Sequence, residues 1–265
     1  MTAPTTLRLH RDGPVLRIEL ARPEVRNAMS LAMVHELRTA LHDAEHDAST
    51  RVVVLRGAGG HFCAGGDIRD MAAARARLAD DPEALAKVSA AFGELCVAWA
   101  STGLAVVVVA EGTVMGGGFG LACVADVTIA VEGAQFRLPE TSLGVVPAQI
   151  APFLVERVGY AEAKRLAVTG ARLDAASAHA LRLAQEHCRP EAVDTVLARV
   201  LREILQCAPA ALAATKALLA ECRWTRAAGL VGEAAQVFSR AALGAEGQEG
   251  TAAFLSKRPP SWAPQ

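Results

Sequence analysis

The chain has no excess of either charge. Its 27 lysines and arginines are balanced by 28 aspartates and glutamates, for a formal net charge of −1, and the two signs are interspersed. There is no basic face to follow a phosphate backbone and no polybasic arm to hold a membrane surface. Nucleic acid and lipid are therefore not expected as partners; a small molecule or another protein is. Metal-ligand patterning is missing as well. Cys63, Cys96, Cys123, Cys188, Cys207 and Cys222 form no CxxC pair and no cysteine–histidine cluster at ligand spacing. No metal and no redox cofactor is implied, and the thiols read as buried groups in a reducing compartment. The N-terminus, MTAPTTLRLHRDG, lacks the basic start and apolar core of a secretory leader. The apolar run VVVVA at 106–110 is too short to span a bilayer and Glu111 follows it directly. The expected location is the cytoplasm.

What is present is apolar. Hydrophobic residues make up 52% of 265 positions, ample for a sizeable core. Residues 7–20, LRLHRDGPVLRIEL, alternate apolar and polar about Asp12-Gly13 and predict a hairpin. Leu31, Val34, Leu37, Leu41 and Ala44 recur at helical spacing behind Ser30, a good N-cap. Three β-branched runs follow, closed by Gly57, Gly112 and Gly133, and their continuous apolar character suits strands covered on both faces. A helical stretch at 82–100 lies between the first two, so the body is α/β. Beyond about 150 the strand signal fades, and alanine-rich helices are expected at 160–169, 174–184, 191–206, 209–221 and 226–242. Such helices suit internal packing and subunit contact equally. Pro259 and Pro260 rule out helix beyond Arg258.

Three stretches could carry chemistry. GAGGHFCAGGDIRDM, 57–71, follows a strand, yet its glycines run into His61-Phe62-Cys63 instead of opening a helix, so a dinucleotide fingerprint fails. Its second half fits better as a small-residue loop with Asp67 capping a helix from Ile68. Gly116-Gly117-Gly118 then precede a helical run, FGLACVA, where unpaired N–H groups and the helix dipole could stabilise an oxyanion or merely permit close packing. Finally, Glu140 stands behind Pro139 among Phe136, Leu138 and Leu143. It is either a first-turn acid facing the helix dipole or a half-buried general base. His61 reads as a turn residue and Cys63 as a small buried one; His10, His35, His42 and His46 have no ligand or catalytic partner in the pattern.

In this order and at these spacings, RPEVRNAMS (22–30), HFCAGGDIRDM (61–71), the GGG loop, AQFRLPE (134–140) and FLSKRPPSW (254–262) resemble the enoyl-CoA hydratase/isomerase family, the crotonase superfamily, over nearly the whole chain. The resemblance implies an α/β, crotonase-like spiral of ββα units over 1–200 and a helical oligomerisation region over 201–265, in a homotrimer or dimer of trimers. It implies an acyl-CoA thioester substrate, coenzyme A being part of that substrate and no separate cofactor. It gives the oxyanion-hole N–H groups to Ala64 and Gly117 and the catalytic carboxylate to Glu140. Arg26 and Ala28 match the loop at the CoA nucleotide, Ala64, Gly65, Gly66 and Asp67 the segment beside pantetheine and adenine, and Phe254 and Lys257 a tail completing a neighbouring subunit's site.

One position departs from the pattern. Where two-carboxylate hydratases of the family carry a glutamate, this chain has Gly120. GGGxG, with LGVVPAQIAPF at 143–153, is similar to the hydratases of branched glutaconyl-CoA thioesters. The implied reaction is addition of water across the 2,3 double bond; a one-carboxylate enoyl-CoA isomerase and a non-catalytic acyl-CoA-binding protein are the alternatives. Glycine at 120 is expected to remove a charge that would repel the substrate's own carboxylate and to leave volume for a branch at C3. Gln149 could hold water or that carboxylate, or simply start a helix.

Overall fold

The computed structural model describes residues 4–264. The predicted hairpin is present: β1 (Leu7–Asp12) turns at Gly13 into β2 (Val15–Leu20), and Leu7 pairs with Leu20. Next comes α1 (Leu31–Glu45), capped by the Ser30 side chain, which accepts from the Met33 amide. The chain continues through β3 (Val52–Gly57), α2 (Ile68–Ala76), α3 (Ala84–Ser101), β4 (Ala105–Ala110), β5 (Thr113–Met115) and α4 (Gly117–Val124). Then follow β6 (Val127–Val131), β7 (Gln135–Arg137), α5 (Ala151–Val158), α6 (Tyr160–Thr169), β8 (Arg172–Asp174), α7 (Ala175–Ala180) and β9 (Glu186–Cys188). Four helices end the chain: α8 (Val193–Leu205), α9 (Pro209–Glu221), α10 (Ala227–Leu243) and α11 (Ala245–Leu255).

The long strands form one six-stranded sheet in the order β1-β2-β3-β4-β6-β9, parallel except for the hairpin. The short ones, β5, β7 and β8, form a second sheet, and a bridge between Cys63 and Val114 extends it by one rung. Each turn of the chain therefore lays a strand in the large sheet, steps across a glycine into the small one, and returns through helices. This is the spiral of ββα units. Gly112, at one such step, has φ +52, and a β-carbon there would stand 2.3 Å from the Gly60 carbonyl.

The continuous valine runs are explained by burial on both faces. Val53, Leu55, Val106 and Val108 point into a core shared with α1, α3 and α4. Their neighbours Val52, Val54, Val107 and Val109 point the other way, into a second core covered by Val193, Leu197, Val200, Leu201 and Leu205 of α8. The sheet-and-helix core thus extends through Leu205, five residues beyond the expected division at 200. By length and composition α3 is apolar enough to cross a membrane; here it packs against α1, α2, α4 and α9.

Four strands, β5, β7, β8 and β9, and two helices lie outside the expectations. With three residues each, β8 and β9 are too short to show a period, and β9 is the polar sequence Glu-His-Cys. The helix expected at 174–184 stops at Ala180, because Arg182 turns to φ +59. Neither α5 nor α11 was predicted, and α11 contains two glycines, poor helix formers.

Arg157 of α5 closes the lower end of α4. Its guanidinium donates to the Cys123 carbonyl, from Nε at 3.0 Å and Nη2 at 2.6 Å, and to the Ala125 carbonyl. These are carbonyls that a helix C-terminus leaves without partners. Arg157→Met, which keeps the apolar stem, is expected to lower unfolding free energy by about 2–3 kcal/mol, read as a shift in the urea midpoint at constant m-value.

Candidate active site

Asn27 fixes the first loop. It is fully buried, in the left-handed region at φ +56, as is Arg26 at φ +51. The Asn27 Oδ1 accepts from the Arg22 amide at 2.9 Å, and its Nδ2 donates to the carbonyls of Ala58 at 2.9 Å and His61 at 2.7 Å. One carboxamide thus ties the 22–30 loop to the exit of β3. Arg22 adds a second tie, donating to the Ala28 carbonyl at 2.5 Å and to Asp67 Oδ2 at 2.8 Å. Oδ1 of Asp67 caps α2 through the Arg69 amide. Burial alone would raise the Asp67 pKa, but Arg22 and the Arg69 amide hold it below the usual aspartate value. The Asp67 side chain is thereby committed to the loop's own architecture.

These ties decide which backbone N–H groups stay open. The Ala64 amide donates to the Arg26 carbonyl at 3.0 Å, so the expectation that Ala64 supplies an oxyanion-hole donor is corrected: that hydrogen is already spent. The Met29 amide donates to Gly65, and the Asp67 amide to Met29, which makes a parallel bridge between Met29 and Gly66. In such a bridge the two bonds flank residue 66, and its own N–H points to the opposite side. Among the described residues the Gly66 N–H has no partner. Gly117 is the first residue of α4, and its N–H has none either.

Glu140 completes the cluster. A β-carbon placed on Gly116 would lie 3.2 Å from Glu140 Oε1, 3.3 Å from the Gly65 α-carbon and 4.0 Å from the Gly66 nitrogen. The carboxylate and both donor loops therefore meet within a few ångströms. Glu140 opens a 3-10 turn, Glu140–Leu143, behind Pro139. Its Oε2 is buried without a hydrogen-bond partner, and burial raises its pKa above the ordinary 4.5. Two free donors beside a partly desolvated carboxylate can polarise a carbonyl and move a proton next to it.

Position 120 does not open into space. A β-carbon on Gly120 would stand 3.0 Å from Cζ of Phe92 and 3.1 Å from Cγ1 of Ile150, so the expectation of free volume for a substrate branch there is corrected. The Phe92 ring, from α3, fills it. The same ring reaches Gly117, where a β-carbon would meet its Cε2 at 3.4 Å and Met29 Sδ at 3.5 Å. Next to Phe92, Gly93 admits the Gln149 side chain against the backbone of α3, and Gln149 Nε2 donates to Ser89 Oγ at 3.2 Å.

Other expected residues lie apart from this cluster. The Arg26 side chain is exposed and Ala28 is half-buried; their carbonyls serve Ala64 and Arg22. Helix α11 packs on α9 and α10. It leaves Phe254 83% exposed and Lys257 exposed at φ +52, and no hydrogen bond or ion pair links either side chain to the loops. His61 accepts the Thr113 amide on Nδ1 at 3.1 Å, a turn role as expected. The Cys63 thiol is buried, and desolvation pushes its pKa up to about 11. Asn27, Arg22, Phe92 and Ser89 were not singled out by the sequence; their roles depend on contacts more than 25 positions away.

Comparisons with known proteins identify the family. The family model described as enoyl-CoA hydratase/isomerase matches residues 10–265. A protein of Rhizobium meliloti (strain 1021) described as a probable enoyl-CoA hydratase is 31% identical, over 96% of both chains. The 2,3-dehydroadipyl-CoA hydratase of Escherichia coli (strain K12) is 27% identical, over 95% of this chain and 96% of its own. Among solved structures, Pseudomonas aeruginosa AtuE superposes with a TM-score of 0.94 at 51% identity, covering 98% of this chain and 100% of that one. The chain belongs to the enoyl-CoA hydratase/isomerase family, with the crotonase fold. It is an enzyme of the hydratase type.

The buried carboxylate gives a testable sign. Because the folded pKa of Glu140 exceeds its unfolded value, ionisation opposes folding: nothing is lost below about 4, and stability falls as pH rises through 4.5 to the raised value. Glu140→Gln is therefore expected to match the parent's Tm at pH 4 and exceed it at pH 7. Equal Tm differences at both values would contradict the burial.

Proposed function

We propose that the protein hydrates a branched glutaconyl-CoA thioester at its 2,3 double bond, with the N–H groups of Gly66 and Gly117 on the thioester oxygen and Glu140 as the single acid–base group. The observation that carries this reading is the convergence of two unpartnered donors and one partnerless buried carboxylate. The donors stabilise the enolate oxygen that forms as water attacks C3. Glu140 takes a proton from that water and returns it to C2, so hydroxyl and hydrogen are added and the carboxylate is regenerated.

The acyl group proposed is isohexenylglutaconyl, an intermediate of acyclic terpene (citronellol and geraniol) degradation, with 3-methylglutaconyl as the second choice. GGGFG in place of GGGxE and the LGVVPAQIAPF segment support it by resemblance. A relative acting on 2,3-dehydroadipyl-CoA supports a thioester with a carboxylate at its far end. Without a side chain at 120, the site places no second carboxylate beside the substrate's own, avoiding like-charge repulsion. The one-carboxylate site also suits an isomerase moving a proton between C2 and C4, and the assay below separates the two.

We further propose a homotrimer or dimer of trimers in the cytoplasm, acting on the free thioester. The C-terminal segment exposes Trp224, Val231, Phe238, Leu243, Phe254 and Leu255, each at 69% or more, and so many exposed large apolar side chains suit burial between subunits.

Conjugated enoyl-thioester absorbance tests the reaction. It is expected to fall on adding the protein to isohexenylglutaconyl-CoA or 3-methylglutaconyl-CoA, whereas a 3-to-2 isomerisation raises it. Glu140→Gln is expected to lower kcat by about 10²–10⁴ with acyl-CoA affinity retained. In the parent, kcat/KM should fall on its acid side at a pH above 4.5, because the base works ionised and burial raises its pKa. Undiminished turnover by Glu140→Gln would remove Glu140 from the mechanism.

A further inference from the structure

We propose that Phe92 is the specificity-determining residue of this site: its ring stands in the volume a second carboxylate would occupy and selects acyl chains carrying an alkyl branch at C3. The inference rests on the hydratase reading and adds to it the residue that chooses the substrate.

The ring spans one turn of α4. A β-carbon on Gly117, the oxyanion donor, would meet Cε2 at 3.4 Å, and one on Gly120 would meet Cζ at 3.0 Å and Cε1 at 3.4 Å. It therefore lies, with Met29 on the Gly117 side, beside the C2–C3 segment of a thioester whose oxygen sits at Gly117, and it alone of the two reaches Gly120. Ile150 closes the far side, 3.1 Å from the same β-carbon position, so a glutamate at 120 has no room unless the ring moves. Gly120 and Phe92 are thus one device: glycine is present because the ring is.

The chemical consequence is a change in what the wall can hold. A carboxylate would offer a hydrogen bond to water; a phenyl edge and an isoleucine offer only apolar surface. The half-buried ring leaves area for an apolar group to cover, and a branch at C3 lies where it would. Burying one methyl contributes about 0.8 kcal/mol, roughly a four-fold preference, and a longer branch more.

Glutaconyl-CoA and 3-methylglutaconyl-CoA differ only by that methyl. The ratio of their kcat/KM values is expected to favour the branched thioester about four-fold or more, to drop to near one in Phe92→Ala, and to take an intermediate value in Phe92→Leu, which keeps most of the packing. Gly120→Glu alone is expected to lose at least ten-fold in affinity for both, and Phe92→Ala/Gly120→Glu to regain it. A purely structural Phe92 would lower both substrates alike and leave the ratio untouched. The same ratio is read independently of turnover from Kd values for the saturated analogues, glutaryl-CoA and 3-methylglutaryl-CoA. If the parent hydrates neither thioester, the hydratase reading fails while the binding ratio still decides the role of Phe92. An unchanged ratio in whichever variants fold overturns the assignment, as does a Gly120→Glu variant that binds as well as the double variant.

Discussion

The site depends on a shortage: most backbone hydrogens of its two loops are spent, and those of Gly66 and Gly117 are among the few left open. Buried amides are almost always paired, so a fold that needs free donors must satisfy their neighbours and aim the remainder at a ligand. Asn27 satisfies three backbone groups at once. Arg26 and Met29 take the amides of Ala64 and Asp67, and the Gly66 N–H is left pointing away from that ladder. On the facing loop, the start of α4 leaves the Gly117 N–H open by the ordinary geometry of a helix end. Neither donor needs a side chain, and at Gly66 a β-carbon would meet nothing within 4 Å.

Helix α4 shows what such an arrangement demands. Glycine inside a helix costs roughly 1 kcal/mol relative to alanine, and α4 carries three in eight residues. Each answers to a contact. Gly117 lies against Phe92 and Met29, Gly118 admits Cys63, whose Cβ would lie 2.6 Å from an added β-carbon, and Gly120 admits Phe92. The weakened helix is offset from below by the Arg157 clamp on its last carbonyls and from both sides by burial of Phe119, Leu121 and Ala122. The helix is thus held by packing and a distant cation, with little help from its own propensity.

Much of the fold is legible in the sequence because its strongest signals are periodic. The hairpin, α1, the three central strands and most later helices follow from alternation, helical spacing and unbroken β-branched runs. Three-residue strands such as β8 and β9 carry no period to read. The stretches that make up the candidate site were legible in outline, since the GGG loop and Glu140 come together at Gly116, but not its bonding. Nothing in Cys-Ala-Gly-Gly-Asp tells which amide is free; that is decided by Arg26 and Met29, nearly 40 positions earlier. The same holds at Gly120, where the sequence shows a missing acid and only the packing of α3 shows a phenyl ring in its place.

In the proposed hydration, a one-carboxylate site places an unusual demand on its acid–base group, which would both accept from water and donate to carbon. A carboxylate with an ordinary pKa is a poor donor near neutrality, and one raised too far is a poor base. Glu140 meets this by position: Oε1 lies against the Gly116 backbone while Oε2 is buried with no partner, so desolvation lifts its pKa without a neighbouring charge. A second carboxylate would raise it further by repulsion, and a cation would cancel the lift. The phenyl ring of Phe92 does neither, and leaves the proton affinity of Glu140 to be raised by burial, lowered by a backbone hydrogen bond, and adjusted by whatever charge the substrate itself brings into the site.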